Sequence, residues 1–125
     1  MKKLGDLSMI EYTNAFIGII DILGYDKLEK RLDKYGKSPS EALIKQIFDF
    51  LDKQMSSNFD NYSEIKWVRY GDGYIISSID DNPSHLEKII IGCRMLIAMS
   101  LEKTIPLRIA ITQKNIKIGD IDKST

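Results

Sequence analysis

The sequence predicts an α+β domain in which a mixed, antiparallel-centred sheet carries its helices on one face. Three observations lead there. The runs "AFIGIIDIL" (15–23) and "LRIAIT" (107–112) are apolar over the length of a strand. The segments "LIKQIFDFLDKQM" (43–55) and "LEKIIIGCRMLIAMSL" (86–101) repeat their apolar residues at helical spacing. Between them, "IKWVRYGDGYIISSI" (65–79) reads as a hairpin, with β-branched and aromatic residues on both sides of a glycine–acid–glycine turn.

Residues 1–14 are polar and unpatterned and read as an N-terminal arm, leaving 15–125 as one domain. Segment 15–23 has the near-continuous apolar character of a central strand covered on both faces. After Gly24 and Tyr25, "DKLEKRLDKY" (26–35) sets Leu28 and Leu32 four apart, a short amphipathic helix closed by Gly36. In the next helix Ser38 caps, Pro39 takes the first helical position and Glu41 completes a capping box. Its stripe of Leu43, Ile44, Ile47, Phe48, Leu51 and Met55 is core, and "SSNFDNYSE" (56–64) is a polar loop. Asn82, Pro83 and Ser84, with Glu87 after them, open the last helix. Pro106 marks its exit into the strand 107–112, a turn at 113–115 and a short final strand, 116–121. The order β-α-α-β-β-α-β is that of a ferredoxin-like α+β domain. Many unrelated activities use this plan, so function has to come from particular residues.

With 125 residues, the chain has room for one core. Its 18 basic and 18 acidic side chains cancel, which argues against a stable nucleic-acid partner. The single cysteine, Cys93, excludes an intramolecular disulfide, fits a reducing compartment and reads as a small core residue. The apolar runs end at Asp21 and Arg94, well short of the ~18 residues that span a bilayer. "MKKLGDLSMIEY" lacks the apolar region of a signal peptide. A cytoplasmic protein without a membrane partner is the expectation.

Two acids stand out. Asp21 is the one charge in its strand, and a lone buried carboxylate costs several kcal/mol unless paired or bound to metal. Asp72 lies at the hairpin tip between Gly71 and Gly73. A first strand commonly lies beside the hairpin in such sheets, so Asp21 and Asp72 are expected to converge on a divalent cation. The Ile22 carbonyl adds a third hard oxygen, a set suited to Mg²⁺ or Mn²⁺. The stretch "LGYDK" (23–27), turning from strand into helix, offers backbone N–H groups to phosphate, and Gly24 permits close approach. The plain alternatives are an Asp21 paired with Arg69, Arg108 or a lysine, and an Asp72 that only makes a turn. Trp67, Tyr70 and Tyr74 suggest base stacking on an open sheet, though the zero net charge speaks against it. His85, at a helix start, is expected to be exposed. No zinc spacing, P-loop or Ser/His/Asp set is present.

"FIGIIDILGYDKL" (16–28) resembles the first metal motif of class III nucleotidyl cyclases, and "VRYGDGYIIS" (68–77) resembles the second. "PLRIAITQKNIKIGDI" (106–121) is similar to a later segment of that family, and the three occur in the same order over residues 15–121. The resemblance implies a palm domain acting on nucleoside triphosphates. In it Asp21, Asp72 and the Ile22 carbonyl hold Mg²⁺ or Mn²⁺, and Leu23, Gly24 and Tyr25 bind the triphosphate, with Gly71 and Gly73 beside the nucleotide.

The departures are specific. The family's later strand and helix, which carry an Asn and an Arg, have no counterpart before Thr125. Arg69 or Arg108 is then expected to supply the cation at the phosphates, in a homodimer with a shared active site; Lys66 and Lys114 read as solvated charges. Related palms have G-G-D/E-D/E hairpins, whereas Tyr70 replaces a glycine here and Gly73 follows Asp72. The short chain is similar to the minimal CRISPR polymerase family. That likeness implies a cyclic di- or oligonucleotide signal in bacterial anti-phage defence. A mononucleotide cyclase and a non-catalytic regulatory palm are the alternatives.

Overall fold

The structure, a computed structural model, describes residues 12–25 and 37–117. Among these residues six elements follow one another: β1 (Tyr12–Ile22), α1 (Lys37–Phe59), β2 (Ile65–Tyr70), β3 (Gly73–Ser78), α2 (Pro83–Glu102) and β4 (Leu107–Lys117). The strands form one four-stranded sheet in the order β2-β3-β1-β4, and both helices contribute to one core. The fold is α+β. No helix among the described residues is long and apolar enough to cross a membrane.

Every pairing in the sheet is antiparallel, where a mixed sheet was expected. The reason is geometric. A helical crossover returns the chain parallel to the strand it left, but β3 lies between β1 and β2, and β1 lies between β3 and β4. Parallel strands therefore never become neighbours. The helix expected over 26–35, the arm up to residue 11 and the strand end at 118–121 lie outside the described residues.

Four boundaries differ from expectation. α1 begins at Lys37, ahead of Ser38, so Ser38 lies inside the helix rather than capping it. β1 starts at Tyr12, so residues 12–14 belong to the sheet rather than to the arm. β4 runs unbroken through Gln113–Asn115 because the longer β1 pairs with it along its whole length, Tyr12 opposite Lys117 and Ile22 opposite Leu107. Polar residues are tolerated there since β4 is an edge strand. α1 continues to Phe59, one turn beyond Met55, and thereby buries the Phe59 ring in the core.

Alternation along the strands divides the sheet into two faces. Ile20, Ile22, Tyr74 and Ile76 pack beneath Phe48, Leu51 and Met55 of α1 and Ile89, Cys93 and Leu96 of α2. The opposite face carries Ile19, which is exposed, so among the described residues β1 is central in the sheet yet covered on one side only. Burial pushes the Cys93 thiol up to about 11. His85 is buried rather than exposed, its Nδ1 2.7 Å from Asp80 Oδ1.

α2 starts with Asn82, whose side chain accepts the Ser84 N–H at 2.9 Å, followed by Pro83. It ends in a Schellman motif: Ile105 N–H donates to Ser100 O at 2.8 Å and Thr104 N–H to Leu101 O at 2.9 Å. The left-handed position of that motif, normally glycine, is held by Thr104 at φ +57°. A β-branched residue there costs about 1–2 kcal/mol, and glycine would lose roughly 0.5–1 kcal/mol more backbone entropy on folding. Thr104→Gly is therefore expected to raise stability by roughly 0.5–1 kcal/mol, read as a higher urea midpoint.

The helices meet where Phe59 lies on Gly92. A methyl group at Gly92 would stand 2.2 Å from Phe59 Cε1, and the ring is fully buried with nowhere to retreat. Overpacking costs about 1–3 kcal/mol, against about 1 kcal/mol gained in helix propensity. Gly92→Ala is expected to lower stability by about 1 kcal/mol, and by no more than about 2 kcal/mol, in the same titration.

Candidate functional site

Ile20 and Ile22 are fixed in the core, so the pleat turns Asp21 to the other face, where its side chain is 32% exposed. It stands in register with Gly73 on β3 and with Arg108 on β4. Arg108 Nη2 donates to Asp21 Oδ2 at 2.9 Å. The alternative of an Asp21–arginine pair is thus present in the structure, and it is Arg108 that makes it. An exposed cross-strand pair of this kind contributes about 0–1 kcal/mol, so its partner can be exchanged at little cost.

The hairpin loop is Gly71–Asp72, two residues between the register pair Tyr70 and Gly73. Gly71 has φ +60° and Asp72 does not share a positive φ. A positive φ at the first loop position alone is the type II′ pattern, which demands glycine there. Asp72 is the chain neighbour of Gly73, and Gly73 is the register partner of Asp21. The two acids therefore stand at one end of the sheet, Asp21 in β1 and Asp72 in the turn that leads into the neighbouring β3.

Gly73 has a reason of its own. A Cβ there would lie 1.9 Å from the Ile20 carbonyl oxygen, in the backbone of β1. Glycine is needed for the close approach of the two strands, rather than for clearance around a ligand.

The chain leaves β1 through Leu23, whose N–H donates to Pro106 O at 2.9 Å, and turns at Gly24 with φ +78°. Next to this turn opens a cavity of about 560 Å³. Leu23, Gly24 and Tyr25 line one side, Gln46, Ile47 and Phe50 of α1 another, and Lys103–Pro106 the third. Its size falls within the range of small-molecule sites. Lys103 Nζ sits 5.8 Å from the Phe50 ring centroid, within cation–π distance.

Arg69 is elsewhere. Its Nη1 lies 3.3 Å from Asp52 Oδ2 on α1, and its guanidinium lies 4.3 Å from the Phe48 ring centroid. It therefore belongs to the helix-covered face, across the sheet from Asp21 and Arg108. Tyr74, its register partner, donates its O–H to the other oxygen of Asp52. Burial, with Asp52 second, pushes the Tyr74 phenol far above its usual range. Trp67 is on this face too and donates to Asp60 Oδ1 at 2.7 Å. Of the three hairpin aromatics, Tyr70 alone projects outward, 71% exposed, so they do not form one stacking platform.

Among the described residues no three His, Cys, Asp or Glu side chains converge as a ready-made metal cluster. The set Asp21, Asp72 and the Ile22 carbonyl is smaller than that. Carboxylates and a carbonyl are the donor types that Mg²⁺ or Mn²⁺ take, completing their shell with water and phosphate oxygens. Asp21 offers its carboxylate from the open face, and Arg108 shares it.

Sequence reasoning had not singled out Asp52, Gln46, Phe50, Lys103 or Thr104. Asp52 was findable, because it falls four residues after Phe48 on the stripe that faces the core. Lys103 and Thr104 reach the cavity only through the tertiary fold and carry no local signal. No family model matches the chain, and no curated protein matches it either.

Gly73→Ala is expected to push β3 away from β1 next to Asp21, lowering stability by about 1–3 kcal/mol. Amide exchange should accelerate first at residues 73–75, ahead of the rest of the sheet.

Proposed function

We propose that the chain is a metal-dependent cyclic nucleotide synthase with a ferredoxin-like palm core, using nucleoside triphosphates and releasing pyrophosphate. The observation that carries the reading is the register of Asp21 with Gly73, which brings Asp21 and Asp72 to one end of the sheet. The turn Leu23–Tyr25 and its cavity, large enough for a nucleoside, lie at the same strand end. The position of β1 between β3 and β4 supports the palm assignment.

In this reading Asp21, Asp72 and the Ile22 carbonyl would hold Mg²⁺ or Mn²⁺. Such an ion, when bound, acidifies a ribose hydroxyl and offsets charge on the departing pyrophosphate. The hydroxyl oxygen bonds to the α-phosphorus as the α–β anhydride bond breaks. Pyrophosphate leaves with the electron pair, and the hydroxyl proton is lost to solvent. The Gly24 N–H of the turn binds a phosphate oxygen, since the Leu23 N–H is held by Pro106 O, and the cavity takes the base. Arg108, loosely held by Asp21, swings to the phosphates and supplies the cation expected of Arg69 or Arg108. The product is a cyclic di- or oligonucleotide, a signal of the kind used in anti-phage defence.

A second reading is a palm that binds nucleotide without converting it. The Arg108–Asp21 pair favours it, since the guanidinium occupies a carboxylate oxygen that a cation would use.

The test is incubation with each nucleoside triphosphate, singly and mixed, with Mg²⁺ or Mn²⁺, and mass spectrometry of the products. A cyclic product that falls at least ~100-fold in Asp72→Asn, with unchanged circular dichroism, is the expected result. Arg108→Ala should retain the fold and lose most of the turnover. Nucleotide binding by calorimetry without product would select the second reading. Neither binding nor product would overturn both.

A further inference from the structure

The solvent side of α2 is apolar where a solvent-facing helix is ordinarily polar. Its inner side is buried through Ile89, Gly92, Cys93, Leu96 and Ser100. On the outer side Ile91, Met95 and Leu101 are 52%, 53% and 57% exposed. With Ala98 they fall on one face at helical spacing, and Arg94 and Glu102 lie on the same face. Ile91, Arg94, Met95, Ala98 and Met99 line a shallow groove of about 290 Å³.

The geometry points to a second copy of this chain as the occupant of that groove, docked through α2 in an antiparallel, two-fold symmetric pair crossing at Ala98. The argument is self-complementarity. In such a pair each residue meets the one equally far on the other side of the crossing point. Arg94, four residues before Ala98, meets Glu102, four after it. Met95, three before, meets Leu101, three after. Symmetry makes each contact twice. Ala98 on Ala98 lets the helices approach closely, and Leu101 enters the partner's groove beside Met95. The remaining acid of this face, Glu87, lies too far from Ala98 to meet a like charge within the opposing helix.

This surface is on the helix side of the molecule, whereas Asp21 lies on the open face of the sheet. Each copy keeps its own acid pair, in contrast to a dimer built around one shared site. The inference stands on the surface of α2 and does not depend on the nucleotide reading.

The experiment is light scattering coupled to size exclusion on the full chain and on Arg94→Glu and Glu102→Arg. The wild type is expected to be a dimer. Each reversal sets like charges together twice and should weaken self-association about tenfold or more. Mixing the two variants restores opposite charges at both contacts and should recover a dimer, as should Arg94→Glu/Glu102→Arg alone. All four positions of contact are exposed, and unchanged helical circular dichroism checks that each variant is folded. A monomeric wild type at high concentration would overturn the inference. So would dimers that persist in both single reversals, or a mixture that stays monomeric.

Discussion

The candidate site depends on the pleat of β1. Ile20 and Ile22 are held in the core by both helices, and strand geometry then leaves Asp21 no choice of face. A slip of one residue in register would bury the carboxylate and expose both isoleucines, a large penalty on each count. The eleven residue pairs between β1 and β4, and the five between β1 and β3, make that slip improbable from both sides. The packing of two isoleucines thus fixes the orientation of a charged group between them.

The strand order converts that orientation into a juxtaposition. Because β3 is inserted next to β1, the hairpin turn arrives at the end of the sheet where Asp21 stands. Gly73 permits the close backbone approach at that point, and Gly71 permits the tight turn. On the other flank β4 contributes Arg108, a cation that balances Asp21 without burying it. An acid held between a turn and an exposed arginine is electrically satisfied yet available, whereas a buried ion pair would be difficult to open.

Asp21 and Asp72 were legible in the sequence because each breaks a local pattern: a charge in an apolar strand, an acid between turn glycines. The hairpin and α2 are legible for the converse reason: caps, turn residues and periodicity agree there. The polar run Gln113–Asn115 divides β4 into two pieces in the sequence, which alone does not reveal that an edge strand beside a long β1 tolerates them. Nearness in the chain suggests Arg69 beside Asp72. Its face is decided instead by register, through its pairing with buried Tyr74, and "IKWVRY" mixes apolar and charged residues too evenly to give the parity. His85 illustrates a similar limit: a helix start is polar on average, but this one is packed.

The place of Arg69 also explains why a charged cluster sits against the core. Hairpin tips are among the more mobile parts of a sheet, and a carboxylate on a moving tip would be a poor ligand. Arg69 and Tyr74 are the register pair immediately inside Tyr70 and Gly73, one on each strand of the hairpin. Asp52, anchored in α1, accepts a hydrogen bond from both. One carboxylate on a helix therefore clamps both strands just below the turn, with Phe48 packed under the guanidinium. The clamp acts on the helix-covered face and Asp72 lies just beyond it, so the arginine that does not reach the acid pair still determines where half of that pair is held.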